Sequence, residues 1–233
     1  MILMLLATAA AAPAPAAPAR LRADVQALVG FGTRHTSSTT ADKRRGIGAA
    51  RDWTAQQFGA IARACGGCVT VDRISRRVSG PRAPSGVVVE DVLGIQPGRD
   101  PNRVVIVGAH IDSRVTDVMD TTSDAPGAND DASGVALVLE AARQLSKRKF
   151  DATIVYAVFS GEEQGLWGAS LLADTAKARG WDVTAMLNND IVGNTVGHGG
   201  KREDRYVRVF SEGIRSSEDL AQQQARRAIG GED

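Results

Sequence analysis

The sequence predicts an α/β protein: a three-layer αβα sandwich whose central sheet is mostly parallel, with antiparallel strands at its edge. Two observations predict it. Continuous apolar runs of the buried-strand type, 103–110 and 152–159, and a further strand at 183–189 alternate with amphipathic helical patterns at 133–148 and 165–179. Upstream of them, two runs with polar alternation, Val69 to Val78 and Val87 to Ile95, are separated by the breakers Gly80-Pro81 and Pro84, which reads as a hairpin-like edge with one exposed face.

At 233 residues the chain is long enough to bury one full α/β core, and 43% apolar with 24% charged residues is a globular composition. A net charge of +1 gives no reason to expect nucleic acid or an acidic membrane surface as partner. The first nineteen residues carry no charge and pass from a Leu/Met/Ile core into Ala and Pro. That is the pattern of a secretory signal peptide, although no Lys or Arg stands near Met1, and its apolar core is too short to span a bilayer. The expectation is one exported domain over residues 20–233.

Helical spacing follows in RLRADVQALVG (20–30), then the polar loop FGTRHTSSTT with Arg34 and His35, then a second helix over 41–63. Cys65-Gly-Gly-Cys68 ends it. A lone C-x-x-C is a redox motif, half a zinc site or a local disulfide; with no second pair and in an exported chain, the disulfide is the reading adopted. After residue 103 the alternation runs strand, long loop 113–131, helix 133–148, strand 152–159, helix 165–179, strand 183–189, strand 205–210 and helix 216–228.

Chemistry-bearing residues gather where these strands end. His110 and Asp112 stand at i and i+2, so both point to one side, and the carboxylate is placed to hold the second nitrogen of a ligating imidazole. Asn129, Asp130 and Asp131 crowd a Gly-flanked turn before a helix, where one residue serves as cap and a carboxylate there is placed to bridge two cations. Glu162 and Glu163 follow strand 152–159, and Asp190 follows 183–189. Each motif alone has a bland reading: a core histidine, an N-cap, a solvated pair at a helix start. In a parallel sheet, however, these ends share one edge, and surface acids placed by chance would not prefer it.

In this order and spacing, GAHIDS, PGANDDASG, SGEEQGLWGAS and NNDIVG resemble the M28 family of zinc aminopeptidases, and FGTRHT is similar to its bacterial secreted members. M20 peptidases share the G-H-x-D strand and the Glu pair but not the GANDDASG turn. The resemblance implies that His110 and Asp190 hold one zinc, Asp130 bridges to a second, Glu163 ligates that second ion, Glu162 is the general base and Asp112 supports His110. Asn129 and Asp131 match no ligand. It also implies peptide substrates with a free N-terminus, and a last histidine ligand near the domain's end. His198, eight residues after Asp190, is too close to match it, so the chain is expected to stop before the domain does. The alternatives are an inactive binding module of the same fold and another amide-processing relative, a glutaminyl cyclase or carboxypeptidase.

Overall fold

A computed structural model describes residues 15–205 and scattered positions between 207 and 225. Helix α1 (Pro18–Val29) starts with proline, whose fixed φ and missing N–H suit the first turn. Helix α2 (Gly46–Ala64) is followed by the Cys65–Cys68 disulfide. The hairpin of β1 (Thr70–Gly80) and β2 (Ala83–Gln96) comes next, then β3 (Asp100–His110), α3 (Ala132–Leu145), β4 (Ala152–Phe159), α4 (Trp167–Ala178) and β5 (Asp182–Asn188). Pro84, expected to break the chain, lies inside β2 instead. It falls between the Gly80–Ala83 and Val78–Val87 pairings, where the register shifts, so its missing N–H costs no ladder bond.

The sheet order is β1-β2-β4-β3-β5. β1 and β2 pair antiparallel, as do β2 and β4, whereas β4, β3 and β5 are mutually parallel. The mixed open sheet therefore combines an antiparallel edge with a parallel half, and the parallel half carries the motifs. Period-2 alternation in β4 makes the layers: Ile154, Tyr156 and Val158 pack with Leu28, Phe58 and Leu139 of α1, α2 and α3, while Val155, Ala157 and Phe159 pack with Leu171 and Leu172 of α4. β5 is exposed along its whole length.

The chain forms two compact units, the first ending at Gly193 and holding every element named so far. In the second, 194–233, the described residues form a short 3-10 turn, His198–Gly200, and a Val196–Arg202 bridge. The expected strand 205–210 and helix 216–228 fall largely outside the described residues, as do residues 1–14 of the expected leader. Among the described residues no helix is long and apolar enough to cross a membrane.

One core carboxyl stands outside any acid–base pair. Asp91 of β2 is fully buried; its Oδ1 accepts the Ser160 N–H at 2.9 Å, and among the described residues its Oδ2 has no hydrogen-bond partner. Burial raises its pKa to about 7. Because the folded value lies above the unfolded one, near 3.9, stability from this group is intact below about pH 4 and is lost as pH rises through about 7. Asp91→Asn, which cannot ionise, is expected to raise the melting temperature at pH 8 and to leave it nearly unchanged at pH 4.

Candidate metal centre

The parallel half determines which residues can meet. β3, β4 and β5 all end at one edge, with His110 opposite Phe159 and Gly108 opposite Asn188. A helix returning from a parallel strand starts at that same edge, so the N-terminus of α3 brings the 127–131 turn there as well. Gly134 permits the close approach of α3 to the end of β5: a Cβ on it would lie 2.1 Å from the Asn189 carbonyl oxygen.

His110 is 3% exposed, and its two nitrogens face different groups. Nδ1 lies 3.1 Å from the Asp112 carbonyl oxygen and 3.7 Å from Asp112 Oδ1, while Nε2 lies 3.0 Å from Asp130 Oδ1 and 3.8 Å from Asp190 Oδ1. Burial by itself lowers the imidazole pKa, but the hydrogen bonds to Asp112 and Asp130 and the charges of Asp112 and Asp131 outweigh it and hold the pKa up at about 12.

Asp112 ties the cluster to the glutamates. It is fully buried, and its carboxylate accepts the backbone N–H of Glu162 at 3.2 Å, that of Glu163 at 3.1 Å and the Thr36 hydroxyl at 3.1 Å. Desolvation alone would raise its pKa; His110 and these N–H groups more than offset that and hold it below the usual carboxylate range. Glu162 shifts the other way, raised mainly by burial.

The aspartates of the turn divide the labour. Asp131 is buried; Oδ1 caps α3 by accepting Gly134 N–H at 2.9 Å, and Oδ2 accepts His110 N–H at 3.2 Å. Although His110, Asp131 and Asp190 each present a ligand atom within 4.8 Å of the others, both Asp131 oxygens are thus already engaged by backbone. Asp130, with its side chain 48% exposed, takes no backbone N–H among the described residues and is the more open ligand. Asn129 Oδ1 accepts Gly193 N–H at 2.9 Å and Ser133 Oγ accepts Val192 N–H at 3.1 Å, fixing the loop that carries Asp190.

Three neighbours were not singled out from the residue pattern. Arg34, 1% exposed, donates to the carbonyls of Leu28, Ile111, Pro126 and Gly127 and so binds the end of β3 to the aspartate turn. Burial lowers its pKa to about 10, still charged at neutral pH. Thr36 braces Asp112, and Arg114 pairs with Glu163 at 2.5 Å. Arg34 and Thr36 belong to FGTRHT, the sole hint in the sequence.

A family model described as Peptidase family M28 matches residues 91–227, more than half of the chain. The chain belongs to peptidase family M28. A probable zinc metalloprotease of Pyricularia oryzae is 46% identical over 222 residues, which are 92% of this chain and 43% of that protein. This M28 chain spans about half the length of the curated relatives it matches. Among solved structures, a glutaminyl cyclase from Fimbriiglobus ruber superposes with a TM-score of 0.63 at 20% identity, covering 80% of this chain and 65% of that one. A leucine aminopeptidase precursor from Bacteroides thetaiotaomicron superposes with a TM-score of 0.62 at 18% identity, covering 79% and 66%. These two share the fold. The fungal source of this metalloprotease relative gives no support to the bacterial affiliation expected from FGTRHT. Within that segment Arg34 holds the aspartate turn and Thr36 braces Asp112.

Proposed function

We propose that this M28 chain carries the metal-binding core of an exported zinc aminopeptidase. The observation that carries the reading is His110, with Asp112 behind Nδ1 and with Asp130 and Asp190 in front of Nε2, one shared carboxylate away from Glu162. Imidazole and carboxylates are the donors that zinc takes. His110 Nε2, Asp130 and Asp190 would hold one ion, and the family resemblance would give Asp130 and Glu163 to a second. Zinc bound there supplies Lewis acidity, polarising the scissile carbonyl and acidifying water toward neutrality.

The chain's own groups do the rest. The Asp112 carbonyl fixes the Nδ1 proton of His110, so the Nε2 lone pair is the one presented. Asp112 also sets the Glu162 backbone, and thereby where that carboxylate reaches. Glu162 accepts the proton of the attacking water and delivers it to the leaving nitrogen as the C–N bond breaks. Its burial-raised pKa makes it a better acceptor of that proton than an ordinary glutamate. Export is supported by the uncharged N-terminal run and the Cys65–Cys68 disulfide.

Incubation of the protein with an unblocked peptide is expected to release its N-terminal residue, and a chelator is expected to stop that release. Cleavage of an N-acetylated peptide at internal bonds would refute the exopeptidase reading. An N-terminal glutamine that loses ammonia while its peptide bond stays intact would point to cyclase chemistry instead.

A further inference from the structure

We infer that the peptide bond between Ala16 and Ala17 is a signal-peptidase cleavage site, and that the α-ammonium freed on Ala17 becomes a partner of the buried Glu140 carboxylate, closing the first turn of α1 onto α3. This inference rests on the export reading above and fixes where the leader ends; it does not depend on the metal centre.

The N-terminal run alone leaves the bond open. Signal peptidases take a small residue just before the scissile bond and another two positions earlier, the A-x-A pattern. Ala9, Ala11, Ala16 and Ala19 each complete that pattern with a residue other than proline to follow. Ala12 and Ala14 also complete it, but each precedes a proline, whose ring-bound nitrogen and fixed φ make a poor scissile bond. A cut after Ala9 or Ala11 falls inside the apolar core itself, which a leader needs at about 7–15 residues. Ala16 and Ala19 remain.

The fold separates these two. Ala17 is the N-cap of α1; its carbonyl accepts the N–H of Arg20 at 3.0 Å and of Leu21 at 3.2 Å, and its own N–H donates to Glu140 Oε1 at 3.3 Å. A cut after Ala19 would remove that carbonyl together with the proline that suits the first turn. A cut after Ala16 keeps both, and Pro15 and Ala16 are exposed and belong to no element. Water then adds across the bond: the C–N bond breaks, the hydroxyl goes to the Ala16 carbonyl carbon, and the Ala17 nitrogen gains the hydrogen and, at neutral pH, one more proton. The ammonium so formed already lies at the Glu140 carboxylate, which is buried on α3 and also accepts Arg20 Nε at 2.9 Å and Gln144 Nε2 at 2.9 Å. A positive charge at a helix start is mildly unfavourable, and a buried carboxylate at hydrogen-bond distance outweighs that. The peptidase meets the chain before it folds, so the fold does not select the bond; it shows which of the two products α1 can use.

The test begins with the full chain expressed with its leader in an export-competent bacterium, the product being read by N-terminal sequencing and intact mass. The expected start is Ala-Pro-Ala-Arg, at Ala17. A start at Arg20, Ala10 or Ala12 overturns the proposal and leaves export standing, whereas a leader retained on all of the protein overturns the export reading and this inference with it. The ammonium is then tested by thermal unfolding at pH 6.5, below the ordinary α-amino pKa of about 7.7–8.0, on protein beginning at Ala17 with its α-nitrogen free or acetylated. Replacing a charged hydrogen bond by a neutral one predicts that acetylation lowers Tm by about 2–4 °C. The same acetylation should shift Tm by less than about 1 °C in Glu140→Gln and in a chain begun at Ala16, whose ammonium lies one residue farther from Glu140. The chain begun at Ala16 decides the point even where Glu140→Gln does not fold. Equal melting of the free and acetylated Ala17 proteins, or an equal loss in either control, overturns the pairing.

Discussion

Glu162→Gln is expected to lower kcat on an N-terminally unblocked peptide by about 10²–10⁴-fold, the usual worth of a positioned general base. Glutamine keeps the volume and the backbone N–H that Asp112 accepts, so the local structure should persist. It cannot take a proton from water. Zinc affinity should stay near that of the wild type, because this side chain is assigned no bond to metal. The same argument fixes the acid limb of the wild-type pH profile. Burial raises the Glu162 pKa, so the catalytic carboxylate is lost as pH falls through a value above the ordinary glutamate value of about 4.3. Initial rates between pH 4 and pH 8 measure that limb, and a profile flat down to pH 4 would remove Glu162 from the role of base.

Asp112→Ala is expected to have the other large effect, and on binding instead of turnover. The substitution removes the carboxylate 3.7 Å from His110 Nδ1, so that only the backbone carbonyl of residue 112 still holds that nitrogen, and it leaves the N–H groups of Glu162 and Glu163 and the Thr36 hydroxyl without their acceptor. Loss of such support for a ligating histidine costs about 10–100-fold in metal affinity. Buried donors left unpaired cost on the order of 1–3 kcal/mol each, so the melting temperature should fall as well. Asp112→Asn is the gentler comparison: its amide oxygen still accepts one N–H, and its NH₂ group opposes another. Zinc titration and thermal unfolding of both variants separate the two effects. Unchanged zinc affinity in Asp112→Ala would show that the His110 orientation owes nothing to this carboxylate.

The residues that could be read from the sequence are those where a regular pattern stops. β3 and β4 announce themselves as apolar runs, and the first titratable side chains at the ends of β3, β4 and β5 are His110 with Asp112, Glu162 with Glu163, and Asp190. That a residue of the 129–133 turn caps the helix is legible because Asp and Ser favour that position, and the structure gives the role to Asp131, which accepts Gly134 N–H. The Cys65–Cys68 bridge followed from a spacing that admits a local closure.

What could not be read depends on contacts distant in the sequence. Arg34 lies in a loop without periodicity, and its importance appears only when carbonyls up to 93 residues away converge on its guanidinium. Arg114 looks like one more surface charge until Glu163 is found beside it. Pro84 reads as a breaker because a proline's local rule ignores register, and the register shift that accommodates it belongs to the pairing of two strands.

The central claim is that three strand ends and one turn form a single cation site. Anomalous diffraction at the zinc edge from crystals of the protein grown with zinc measures that most directly. The account predicts a peak about 2.0–2.2 Å from His110 Nε2 and from carboxylate oxygens of Asp130 and Asp190. A well-ordered His110 with no peak at its Nε2, or a peak ligated only by residues elsewhere on the chain, would contradict it.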